Sequence, residues 1–129
     1  MMIRNQLLRP VMLFDAATCF AMGGLLVAAA GPIAGPTDLP VPLLREAGFF
    51  LFPFALFVLW AARQGGGWPV QLVAGLNLVW VAASFSAIAW VQPNALGTAF
   101  VAVQALAVGG IAAVQLYALS REQVQVSRV

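Results

Sequence analysis

The chain has 129 residues, 63% of them hydrophobic and 8% charged, with a formal net charge of +2. A water-soluble domain is roughly a quarter charged, so this composition, with a mean hydropathy of +0.97, excludes a soluble globular protein and makes the lipid bilayer the expected solvent. The basic balance comes from six arginines and no lysine; they stand singly at the ends of apolar runs, which excludes a nucleic-acid reader and its basic, aromatic-interleaved patch.

The chain contains no histidine. That removes His-ligated haem, the usual catalytic zinc sets and a Ser–His–Asp arrangement, so neither a metal nor another cofactor is expected, and no catalytic residue set. Cys19 stands alone and excludes an intrachain disulfide. No repeat at a fixed period is visible, and the length suits one domain over residues 1–129.

Residues 1–9, MMIRNQLLR, read as a short stub at the headgroup level. Pro10 then opens the first apolar run, residues 10–30, close to the ~20 residues that a bilayer core demands. Arginines, an apolar stretch and small residues at Ala28–Ala30 also resemble a signal peptide. The run is longer than a signal core and contains Asp15, so a spanning helix is expected.

Residues 31–42, GPIAGPTDLPVP, hold four of the eight prolines and are expected to form a structured turn. The second helix is placed at 43–63. It begins with Arg45 and Glu46, carries five of the nine phenylalanines, most of them expected to meet lipid, and has Pro53 at its middle, where a kink is expected. Gln64–Trp68, QGGGW, is a tight turn; with no following Lys-Ser or Lys-Thr and no preceding strand it is not a phosphate loop. The third helix is placed at 69–91. The fourth, at 95–120, has Asn94 as its N-cap and is followed by a polar tail. The expected fold class is therefore all-α: a polytopic membrane protein built as an antiparallel bundle of four transmembrane helices.

Four crossings put both termini on one side. Arg4, Arg9, Arg63, Arg121 and Arg128 then share that side and leave Arg45 near the other. The bias places both termini in the cytoplasm.

The few polar residues inside the runs are the candidate site. Asp15 is the most telling, because an ionisable group in a span normally faces protein or water. Thr18, Cys19 and Met22 share its helix face. Arg63 or Arg121 is the expected partner if Asp15 is structural; otherwise it is a protonatable coupling site. Arg45 and Glu46 enter from the outer side, as a snorkelling cation and a helix-dipole carboxylate or, in a sharper reading, with Arg45 turned inward to bind an anion. Asn77 and Gln104 fall near the midplane and are expected to pair as amides between helices or, in the alternative, to line a ligand pocket with Thr18 and the carbonyl freed by Pro53; Gln115 extends the Gln104 stripe. Small residues four apart, such as Ala17 and Ala21 or Ala105 and Gly109, serve packing within the chain or docking to another subunit.

The stretches LFDAATCFAMGGLL, LLREAGFFLFPFALFVLWAAR, NLVWVAAS and PNALGTAFVAVQALAV resemble those of small bacterial integral membrane proteins with four helices. The resemblance covers most of the chain and implies a fold and no activity. The carboxylate in the first helix parallels the small multidrug exporters in architecture alone, since none of their other motif residues is present. The expected role is that of a non-catalytic accessory subunit, packing with other membrane subunits or with itself. The alternative is a small proton- or cation-coupled transporter or channel using Asp15.

Overall fold

The structure, a computed structural model, describes residues 5–64 and 67–128. These form five helices and no strand: α1 (Asn5–Ala28), α2 (Ala30–Thr37), α3 (Val41–Gln64), α4 (Trp68–Val91) and α5 (Ala95–Arg128). Among the described residues α1, α3, α4 and α5 are long and apolar enough to cross a membrane. Their outward surface is apolar: Val103 is 65% and Leu106 67% exposed, an arrangement stable in hydrocarbon and not in water.

Three element boundaries differ from the sequence expectation. The helix assigned to begin at Pro10 begins at Asn5 and runs through that proline. Pro10 removes one early hydrogen bond, while Leu8 and Met12, one turn apart, are both fully buried and hold the segment in helical register. The segment read as a turn contains α2. Pro32 lies in its first turn, where no intrahelical donor is needed. Pro36 comes just before its end, which is closed by Asp38 in the left-handed region (φ 59°), with its N–H donating to the Ala34 carbonyl. Finally, α5 continues through residues read as a polar tail. Arg, Glu and Gln are good helix formers, so leaving an apolar environment does not end a helix. In QGGGW, Gly65 and Gly66 lie outside the described residues.

The expected cap at Asn94 is present: its Oδ1 accepts the Gly97 backbone N–H at 2.8 Å. Its Nδ2 also donates to the Pro36 carbonyl at 2.7 Å, which ties the start of α5 to α2. Gly97 is required there, because a β-carbon at that position would run into the Thr37 carbonyl.

Helix α1 packs chiefly on α3, and α4 chiefly on α5; contacts of α1 with α5 and of α3 with α4 are sparser. The α1–α3 seam closes at two glycines. A β-carbon on Gly48 would stand 2.9 Å from the Gly23 carbonyl oxygen and 2.8 Å from Val27 Cγ2, and one on Gly23 would stand 3.0 Å from the Gly48 oxygen. Backbones approach this closely only where side chains are absent. The core cluster accordingly runs along α1 and α3, from Leu8 and Met12 to Leu51, Ala55 and Val58.

Of the five phenylalanines on α3, Phe49 and Phe50 are exposed and Phe54 is buried. Phe50 stacks on Phe54 at 6.0 Å between ring centroids and on Trp80 of α4 at 6.1 Å, so it joins α3 to α4 while its outer face remains exposed.

Candidate functional site

The polar interior is built on three helices. Asp15, seven residues after Leu8 on α1, lies about 10 Å into that span at ~1.5 Å per residue. Its side chain is 2% exposed. Asn77 of α4 donates through Nδ2 to Asp15 Oδ2 at 2.9 Å and to Gln115 Oε1 at 3.1 Å. Gln115 of α5 donates through Nε2 to the same Oδ2 at 2.7 Å, and that nitrogen stands 3.4 Å from Met12 Sδ. Asn77 and Gln115 are themselves buried, and together the three residues close a ring of hydrogen bonds.

The ring makes a buried carboxyl group tolerable. On biological insertion scales an Asp at a helix centre costs about 3 kcal/mol. Hydrogen bonds to charged groups contribute about 1.5–3 kcal/mol each, so two amide donors on Oδ2 offset that penalty. Asp15 Oδ1 is less well served: its polar contact is the Cys19 thiol, 3.6 Å away and a weak donor.

Thr18, grouped with Asp15 from the sequence, turns its hydroxyl back on its own helix and donates to the Asp15 backbone carbonyl at 2.8 Å. The arginine partner expected for Asp15 is replaced by the two amides. Arg63 is exposed, and Arg121 donates to Tyr117 Oη at 3.0 Å. The expected Asn77–Gln104 pair is likewise replaced by Asn77–Gln115. Arg45 and Glu46 are both exposed on α3 and contribute nothing to this interior, so the inward-facing Arg45 is not found.

Gln104 heads a second cluster nearer the start of α5. Its Oε1 accepts the indole N–H of Trp80 at 2.9 Å, and its Nε2 donates to Ser84 Oγ at 2.9 Å and to the Val101 carbonyl at 3.0 Å. Ser84 in turn donates to the Trp80 carbonyl at 2.8 Å. Trp80 and Ser84 were not singled out from the sequence. A signal was present: Trp80 falls midway along α4, far from the interfacial belt where tryptophan normally sits, and an indole N–H at that depth requires a partner.

Between the two clusters lies a half-enclosed cavity of about 610 Å³. All four long helices line it. Its walls are apolar, with aromatic rings from Phe14, Phe50, Phe54, Phe100 and Trp80, and polar groups enter from Asp15, Thr18, Asn77 and Gln104. A second cavity of about 160 Å³ adjoins it and shares Met22, Trp80, Phe100 and Gln104 as a common wall. The larger volume falls within the 300–1,000 Å³ typical of small-molecule sites, and mostly apolar walls with a few placed polar groups are their usual chemistry.

No family model, curated protein or solved structure matches the chain. The site therefore stands on its own geometry.

Proposed function

We propose that this protein is a small transport protein of a bacterial cytoplasmic membrane, which moves a cation in exchange for a proton at Asp15. In this reading the four spans run antiparallel with both termini in the cytoplasm, as the five-to-one arginine bias favours. One observation carries it: a carboxyl group 2% exposed, held by amides from two other helices, on the wall of a cavity large enough for a small molecule. Intramembrane carboxyl groups facing a cavity are the usual chemistry of ion and proton pathways.

The packing supports the same reading. Contacts concentrate within α1–α3 and within α4–α5, and the cavity and the Asp15 ring lie where the two pairs meet. Motion of one pair against the other would expose the cavity to either side while the ring broke and re-formed. In proteoliposomes carrying a proton gradient, the wild type is expected to drive cation movement, and Asp15→Asn to lower it at least tenfold. Unchanged flux in a folded Asp15→Asn protein would remove Asp15 from the mechanism.

A second reading, an accessory subunit in a larger or homo-oligomeric assembly, also has a specific observation in its favour. Ala17, Ala21 and Ala28 of α1 are all exposed, and a β-carbon on Gly24 would meet nothing within 4 Å. This strip of small residues points out of the chain, where another helix could dock. Extraction into native lipid particles followed by mass measurement tests it. Stoichiometric larger proteins would favour the subunit, whereas a monomer without partners would leave transport as the better account.

A further inference from the structure

The hydrogen-bonding groups around the large cavity are unevenly used, and the imbalance defines what can bind. Every side-chain N–H that lines it is already engaged. Asn77 Nδ2 donates to Asp15 and Gln115, Gln104 Nε2 to Ser84 and the Val101 carbonyl, and Trp80 Nε1 to Gln104. The Thr18 hydroxyl hydrogen is engaged as well, on the Asp15 carbonyl. What remains is acceptor capacity. Among the described residues Asp15 Oδ1 faces only a thiol at 3.6 Å, and Asn77 Oδ1 accepts no hydrogen bond. A ligand that needs donors, such as a quinone, a carboxylate or a phosphate, would find none free. A ligand that brings N–H donors and a positive charge would meet a 98%-buried carboxyl group carrying an under-used oxygen, inside walls of Phe50, Phe54, Phe100 and Trp80.

We infer that the cavity binds a lipophilic ammonium: a protonated amine carrying an aromatic or branched apolar body. The ammonium donates to Asp15 Oδ1, with Asn77 Oδ1 as second acceptor, and the body fills the aromatic end of the cavity. Rings beside the cationic centre add cation–π attraction. A bare inorganic cation fits less well, since one carboxyl oxygen and an amide oxygen in an apolar chamber cannot replace the six or more oxygens of a hydration shell. This inference rests on the transport reading for its biological sense, but binding is measured separately from flux.

The test uses three probes with one body and different heads: 4-phenylbutylammonium, 4-phenylbutanol and 4-phenylbutanoate. Each is titrated calorimetrically into the full-length protein in lipid nanodiscs, with empty nanodiscs as the blank. The ammonium is expected to bind saturably at one site. The alcohol should bind at least tenfold more weakly, and the carboxylate not at all. Asp15→Asn should lower ammonium affinity at least tenfold. Because Asp15→Asn disturbs the ring, Ala107→Trp serves as the second variant: Ala107 is exposed, lines the cavity and belongs to neither hydrogen-bond cluster, so filling the cavity there should abolish binding in a folded protein. Equal binding of alcohol and ammonium would mean an apolar site indifferent to charge and would overturn the inference. So would binding of the carboxylate, full affinity in folded Asp15→Asn, or no saturable ammonium binding. Ammonium binding without flux would uphold the inference and sink the transport reading. Asp15-dependent flux of an inorganic cation without ammonium binding would do the reverse.

Discussion

Where α1 meets α3, backbone meets backbone. Gly23 and Gly48 face each other so closely that a β-carbon on either would stand 2.9–3.0 Å from the other's carbonyl oxygen, and the flanking core is apolar. Where that pair meets α4 and α5, the contact is made by long polar side chains and stacked rings around an open chamber. In a bilayer the hydrophobic effect does not drive helices together, so association comes from close packing or from hydrogen bonds. This protein uses close packing within the α1–α3 pair, side-chain hydrogen bonds within the α4–α5 pair, and the bonds from Asn77 and Gln115 to Asp15 between the pairs. A packed seam tolerates almost no displacement, because dispersion contacts fall off over fractions of an ångström. A seam of amide side chains can lengthen, switch partner or admit a ligand.

The contrast is broken most severely at Gly48. Gly48→Val should cost about 3 kcal/mol or more, beyond the usual range for overpacking, because its β-carbon meets a backbone carbonyl that cannot rotate away. Unfolding in mixed detergent micelles should show this, and enlarging the void with Val27→Ala should not restore stability. Next comes Asn77→Leu, which leaves Asp15 Oδ2 with one donor and should cost about 1–3 kcal/mol in the same assay. Here rescue is expected: replacing Asp15, Asn77 and Gln115 all by Leu removes every unsatisfied group, and stability should return to near wild type. Failure of that rescue would mean the ring contributes shape as well as hydrogen bonds. The smallest effect is expected for Trp80→Phe, which removes one donor to Gln104 while keeping a ring beside Phe50. About 1 kcal/mol or less is expected.

How much of this could be read from the sequence depends on which coordinate is asked for. Depth along a span is legible, because ~20 apolar residues define a crossing and each residue adds ~1.5 Å. The four long apolar helices, the Asn94 cap and the burial of Asp15 all follow from that coordinate. Rotation about the helix axis and the order of neighbours are not legible, and they decide partners. Asn77 shows why. It lies fourteen residues before the end of α4 at Val91, and the same distance down α5 from Ala95 lands on Gly109. Gln104 and Gln115 are then five and six residues away on opposite sides, and nothing in depth selects between them. The arginines failed as partners for a related reason: Arg63 is the penultimate residue of α3, where a long cation stays at the surface. Helix α2 was hidden by its prolines, whose effect depends on their place within a helix more than on their number.

The ring around Asp15 spans the chain almost end to end. Asn77 follows Asp15 by 62 residues and Gln115 by 100. At a synthesis rate of ~5–20 residues per second, about 5–20 s pass between the emergence of Asp15 from the ribosome and that of its last partner. During that interval α1 must stay beside the insertion machinery or hold its carboxyl group near the aqueous face. A chain cut short before α5 would never complete the ring and would present an under-satisfied acid to lipid. Asp15 thus makes completion of the last helix a condition for the first to settle in the bilayer.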